Sequence, residues 1–418
     1  MHGRTVLITG GLTPLGLTIL DSLAAQGAHL ILLEPTLSSS AQLLIPVLQE
    51  AHKNREIHVA ECDLSSGGSV REFVARFGRT LTLGEEGRVD ALVLVRGYGW
   101  ASALSKGGGK PEGACREELG QFHLSTLLLP MLLRAQGRDI RIVNVVNPFY
   151  AAAFPGFPGV LFPPSGEGEG KGKAREGKGK GEDRKISSFQ KEGIRSLRSI
   201  IWSVHLQRVL DALVPQPTEA SPSEEEKTSE GTDGETPLLG KGSRRRSNIL
   251  SVAVCPGFSR TDIAAPYLGA LGPGTTFLGQ LRYILLWPMM FFLLKPPSAA
   301  AESVLYALYA PASHSFLPPA SSTTSSSPPS TGTSNSPSQP VPAPVQRVQG
   351  GALYRECRVV LPPQDVRDWG GEAVGRGVWE MLERGLKSLE QEQEMEKKSG
   401  KGLETVREEP EPEPEKSS

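Results

Sequence analysis

The residues best placed to do chemistry sit at the first turn of the chain. The apolar run Thr5-Val-Leu-Ile-Thr9 breaks at Gly10-Gly11-Leu12-Thr13-Pro14-Leu15-Gly16, and a helix-periodic stretch follows to Gly27. A buried strand, a glycine turn and a helix in that order form an anion seat. Backbone N–H groups point outward there, and the helix dipole favours negative charge. A second strand, His29–Leu33, ends in Glu34, 18 residues beyond Gly16. A carboxylate near that spacing can hold the hydroxyls of an adenosine ribose and repels a 2′-phosphate. Thr9, Gly10, Gly11, Gly16 and Glu34 therefore predict a nicotinamide-dinucleotide site, NAD(P) in class with a lean to NAD from Glu34. Pro14 stands where a third glycine is expected.

Three further groups fall at strand ends. Asp63-Leu64 follows the strand Ile57–Ala60, where a carboxylate can bond the adenine amino group. The competing reading is an Asp that caps the helix near Ser69. Gly97, in Arg96-Gly97-Tyr98-Gly99, lets backbone approach a ligand. Pro256-Gly257 with Thr261 can lay backbone over a nicotinamide and bond its carboxamide.

The elements that must position these groups alternate. Strands are expected at Thr5–Thr9, His29–Leu33, Ile57–Ala60, Ala91–Val95, Arg141–Val146, Ile249–Cys255 and Ala352–Val360. Helices are expected at Leu15–Gln26, Ser40–His52, Gly68–Phe77, Arg116–Ala135 and Leu197–Val214. Alternation of this kind gives an α/β fold: a single doubly wound, Rossmann-like parallel sheet with helices on both faces. Residues 165–191, 215–247 and 313–349 are built from Gly, Pro, Ser, Thr, Glu and Lys. Such segments bury too little apolar surface to offset their conformational entropy, so they are expected to be disordered insertions on one domain. That domain would span 1–362, followed by a short helical extension at 363–389 and a disordered charged tail at 390–418.

Bulk properties exclude some function classes. A net charge of −1 gives no general attraction to nucleic acid. Four scattered cysteines, without CxxC spacing, argue against a zinc site or a disulfide framework and suit a reducing, intracellular setting. No metal site is expected. The chain opens directly on a strand, so no signal peptide is expected and the setting reads as cytoplasmic. Tyr283–Leu294 is nearly all apolar, yet its 12 residues are too few to span a bilayer, which takes about 20. Two readings stand open. One is an interfacial patch at 283–294 on a membrane or lipid droplet, with Trp287 at headgroup depth and Arg282 and Lys295 flanking. The other is a buried helix that lids a substrate cleft.

Taken in order, Thr9-Gly10 to Gly16, Asp63-Leu64, Gly97, the strand Arg141-Ile-Val-Asn-Val145, and Pro256-Gly257 with Thr261 resemble the short-chain dehydrogenase/reductase superfamily. The stretch from Leu285 to Pro311, with its "LLWPMMFFLLKPPSAAAESVLYALYAP", is similar to the retinol-dehydrogenase-like branch. The resemblance implies an NAD(P)-dependent oxidoreductase acting on a lipophilic alcohol or carbonyl, and a homodimer formed through the helices Arg116–Ala135 and Leu197–Val214. It also implies a Ser, a Tyr and a Lys four residues after the Tyr, which lowers the Tyr pKa. Those residues are missing. Asn147 stands at the Ser position, and register against "WSVHLQRVL" puts Ile201 and His205 at the Tyr and Lys positions. No Tyr occurs between Ala151 and Pro266. The Asn usual on the preceding helix is replaced near Glu117. The substitutes on hand are Asn147, Tyr150 and His205, which together could polarise a carbonyl and relay a proton. The alternative function is a pseudoenzyme that keeps the dinucleotide fold for binding or scaffolding.

Overall fold

A computed structural model describes residues 2–83, 88–96, 112–134, 139–162, 188–214, 247–270, 275–313 and 347–407. Its centre is an eight-stranded sheet of order β3-β2-β1-β4-β5-β6-β7-β8. The strands are β1 Thr5–Thr9, β2 His29–Glu34, β3 Ile57–Glu61, β4 Ala91–Leu94, β5 Ile140–Val145, β6 Ile249–Cys255, β7 Leu353–Arg355 and β8 Arg358–Val360. All pairings are parallel except β7–β8. The single strand expected over Ala352–Val360 is thus a hairpin. Glu356 and Cys357 have φ of 54° and 60°, the left-handed turn that folds a strand back on itself.

The mostly apolar strands β1, β4, β5 and β6 are buried along their whole length, as a parallel sheet between two helical layers requires. One layer holds α1 (Pro14–Ala25) and α2 (Ser39–His52). The other holds α3 (Gly67–Leu83), α4 (Glu112–Arg134) and α5 (Ser188–Ala212). The helix α6, Phe277–Leu293, stands off the sheet, and α7, Pro297–Tyr309, returns to pack beside α1. Strand order reverses between β1 and β4, so a crevice opens outside their C-terminal ends.

Two helix boundaries differ from the sequence reading. Helix α5 begins at Ser188, nine residues before Leu197 and inside the segment read as an insertion. Its first turns carry Glu192 and Arg195, charges that look like loop but are buried against one another, and Arg198, half-buried and donating to the Leu161 carbonyl. The C-terminal helix α8, Gly371–Arg407, runs past residue 389, where composition suggested the helix would stop. Val378, Leu382, Leu386 and Leu389 are buried at helical spacing on its inner face.

Helix α8 lies on α4 and α5 of the same chain. Trp379 meets Phe122 edge to face with centroids 4.8 Å apart, and Phe122 meets Trp202 at 6.0 Å. The two helices expected to pair with a second copy thus carry this chain's own C-terminal helix at Phe122 and His205.

Candidate functional site

The glycine turn is built as its sequence dictates, but its bare surfaces face inward. Gly10 has φ +60°, and a Cβ there would stand 2.7 Å from the Val95 carbonyl oxygen. A Cβ on Gly16 would stand 2.3 Å from the Gly10 carbonyl oxygen, and one on Gly11 would strike Leu32. Close approach is needed by the chain itself. Thr9 sits at the strand end, its hydroxyl donating to Val95 O at 2.9 Å.

The N-terminus of α1, the expected anion seat, is already used. Thr13 caps the helix, its Oγ1 accepting from Gly16 N at 3.0 Å while Leu17 N donates to Thr13 O at 2.7 Å. Pro14 has no N–H to give. The remaining donor, Leu15 N, is 2.9 Å from Oδ1 of Asp262. Asp262 is held for this by Ser259 Oγ at 2.9 Å and Thr261 Oγ1 at 3.1 Å, both donating to its other oxygen. Burial pushes its carboxyl above the usual range, opposed by the Leu15 N–H and the two hydroxyls. Thr261, expected to reach a carboxamide, is thereby committed to Asp262. Gly257, at φ +89°, turns the chain after Pro256 so that Ser259 can start this arrangement.

The other expected cofactor residues lie along the same sheet edge. Glu34 closes β2. Burial raises its pKa to about 7, the Leu12 N–H opposing. Its Oε1 finds no hydrogen-bond partner among the described residues. Asp63 folds onto Ser65, accepting from its N–H at 2.9 Å and from its hydroxyl at 2.8 Å. The α3 N-terminus is instead served by Ser66, whose carbonyl accepts from Val70 N at 3.1 Å. The Leu64 carbonyl packs against Gly120 of α4, where a Cβ would stand 1.9 Å away. Gly97 lies outside the described residues.

The structure does not bring Asn147, Tyr150 and His205 together. Asn147 follows β5 and borders the crevice. Tyr150 is buried, its ring edge-on to Phe154 with centroids 5.9 Å apart, and burial raises its pKa. His205 faces α8, its ring 6.0 Å from that of Trp379, and burial lowers its pKa. Ile201 is core.

A different group occupies the place where the reacting residues were expected. Glu192 on α5 accepts from Asn147 Nδ2 at 2.6 Å and from Arg96 Nη1 at 3.2 Å, and its other oxygen is 3.4 Å from Arg195 Nη2. Arg96, just beyond β4, also donates to the Arg195 carbonyl at 3.3 Å and to the Ser199 hydroxyl. Glu118 of α4 is buried beside them. Burial raises its pKa, against the pull of Arg198, Arg96 and Arg195. Gly193 lets α5 come this close, because a Cβ there would stand 2.4 Å from Phe149 O.

The residue of α5 that meets Asn147 is Glu192, with Ser196 one turn later, nine positions ahead of Ile201 and His205. Glu118, the neighbour of Glu117, is the buried carboxylate on the preceding helix. Asp262 left no signal beyond its place next to Thr261.

Between Thr13, Leu15, Arg96, Asn147, Gly257 and Asp262 the crevice keeps about 40 Å³, room for a few waters. Bound cofactors fill pockets of about 300–1,000 Å³. Two of the groups that line the crevice are already engaged: the Leu15 N–H, a donor a pyrophosphate could take at this helix end, is held by Asp262, and the Arg96 guanidinium by Glu192. The site as arranged is a closed polar network. Its described hydroxyls are engaged within the chain, Thr13 on the α1 N-terminus and Ser259 on Asp262.

Residues 4–147 match the family model described as short chain dehydrogenase. "Uncharacterized oxidoreductase pbr1" of Schizosaccharomyces pombe is 30% identical over 149 residues, 34% of this chain and 39% of that protein, so the chain aligns with well under half of its relative. Among solved structures, an uncharacterized protein from Mycobacterium paratuberculosis is 17% identical with TM-score 0.47, covering 91% of this chain and 93% of that one. A short chain dehydrogenase from Burkholderia cenocepacia J2315 in complex with NADP is 17% identical with TM-score 0.42, covering 73% and 91%. With its glycine turn and its strand-end residues in the family's order, the N-terminal third of the chain, residues 4–147, is similar to the short chain dehydrogenase family.

Proposed function

We propose that this protein keeps the dehydrogenase fold without dehydrogenase chemistry and acts as a non-catalytic scaffold. One observation carries the reading: the Glu192–Arg96–Asn147 network fills the position of the superfamily's reacting groups with an ion pair. A guanidinium held by a buried carboxylate neither polarises a substrate carbonyl nor releases a proton near neutral pH. The Asp262 carboxylate at the α1 N-terminus supports the same reading.

A second reading is favoured by the match of residues 4–147 to the short chain dehydrogenase model and by the oxygen of Glu34 that has no hydrogen-bond partner among the described residues. It is an NAD(P)-dependent oxidoreductase of a lipophilic alcohol or carbonyl, NAD preferred through Glu34. It requires Asp262 to leave Leu15 before nucleotide enters. Calorimetry of the full chain with NADH and NADPH separates the two, followed by turnover assays on retinoid, steroid and prenol substrates. The scaffold reading expects no heat and no hydride transfer. Binding with turnover that Glu192→Gln abolishes would overturn it.

A further inference from the structure

Helix α6 is apolar over most of its circumference and almost none of it is covered. Phe277 is 82% exposed, Ile284 68%, Leu285 78% and Phe292 84%, and Trp287, Met289 and Leu293 are exposed as well. Only Gly279 and Met290 are buried. At 100° per residue those two fall on one narrow stripe. The exposed apolar side chains sweep the other ~260° of the helix. The lid reading of this segment fails on that exposure.

The width of the apolar arc selects the occupant. A protein groove covers one face of an amphipathic helix, a stripe of little more than about 100°. An arc more than twice as wide is matched by a solvent that closes around the helix, which is hydrocarbon. The helix holds 17 residues, about 25 Å of rise, short of the roughly 30 Å hydrocarbon core. Among the described residues no helix is long and apolar enough to cross a membrane. Pro288 interrupts the ladder, because it has no N–H for the Ile284 carbonyl. That carbonyl needs water or headgroups, so the helix belongs at the interface and not at the bilayer centre.

The charges agree. Arg282 is the only ionised side chain between Phe277 and Leu293, and no carboxylate lies among them. Arg260 sits over the Phe291 ring at 4.7 Å, at the root of the helix. Trp287 and Tyr283 are the amphipathic rings that settle at headgroup depth.

We propose that α6 is a monotopic anchor. It lies in the interfacial layer of an anionic phospholipid bilayer, with Gly279 and Met290 turned to the protein and Ile284, Leu285 and Phe292 in the acyl region. Arg282 extends along the apolar surface to a headgroup phosphate. The proposal is independent of whether the crevice binds nucleotide.

The test is flotation of the full chain with vesicles of phosphatidylcholine and phosphatidylserine, beside the triple variant Ile284→Asp, Leu285→Asp, Phe292→Asp. Those side chains are exposed, so the variant should fold, and circular dichroism with sedimentation checks that it does. The wild type is expected to float, and the variant to partition at least about a hundredfold less. Arg282→Gln is expected to weaken binding by a few-fold on phosphatidylserine vesicles only. Wild type that stays unbound overturns the proposal. So does equal flotation of the triple variant, or a wild-type dimer that the triple variant abolishes while vesicles bind nothing.

Discussion

Replacing Glu192 with Gln is the sharpest test of how the crevice is built. The carboxylate is fully buried. It serves two guanidiniums, Arg96 and Arg195, and the Asn147 amide. Gln keeps the volume and one acceptor but removes the charge, leaving two buried cations without their counter-ion. Breaking one side of a buried ion pair costs about 3–5 kcal/mol, and two dependents put this site at the upper end. At roughly 2–4 °C per kcal/mol for a domain of this size, the midpoint should fall by about 10–15 °C. Urea unfolding should show the same loss in the transition midpoint with an unchanged slope. Arg96→Met combined with Glu192→Gln should cost about 2 kcal/mol less than the two changes summed, because the stranded cation is gone. A loss below about 1 kcal/mol, or strict additivity, refutes the network. A gain in stability would mark Glu192 as a strained reactive group, the sign of a working site.

Four other outcomes follow. Glu34 has a folded pKa of about 7 against 4.5 when exposed, so the folded state binds the extra proton between those values. Stability then falls as pH rises through that window and levels off above it, by up to about 3 kcal/mol. Glu34→Gln should flatten that slope in urea titrations, and an unchanged slope counts against burial as the cause. Asp262→Ala frees the Leu15 N–H, costs about 1–2 kcal/mol, and should make the melting temperature rise with added phosphate where the wild type's does not. Removing residues 371–418 bares Phe122 and Trp202, so the shortened chain should dimerise or aggregate in sedimentation. His205→Leu should change stability without touching any nucleotide response, since His205 packs on Trp379.

Much of the fold was legible because its signals are local. Buried parallel strands are short apolar runs, and Thr13 with Pro14 writes the start of α1 in sequence. The hairpin at Glu356-Cys357 was not legible, because neither residue favours the left-handed region. The start of α5 was hidden for the opposite reason. Glu192 and Arg195 look solvated, and only their mutual burial makes them interior, with Glu192 meeting Arg96 96 positions away and Asn147 45 positions away. The candidate site shared that limit. Thr9, Gly10 and Gly16 could be placed from spacing alone. That Asp262 would take up the donor at Leu15 depends on a contact across 247 positions, which no local pattern encodes.

The excursion that carries α6 is tied shut at its root. Ser259 and Lys295 form a parallel bridge, with Arg260 N donating to Lys295 O at 3.1 Å and Lys295 N to Phe258 O at 3.0 Å. A loop clasped at its base is a lever with a fixed fulcrum. The clasp begins at Ser259, whose hydroxyl also holds the Asp262 carboxylate, and Asp262 accepts from Leu15 N at the first turn, 247 positions earlier in the chain. The base that fixes the exposed helix and the first turn of the chain thus share one carboxylate.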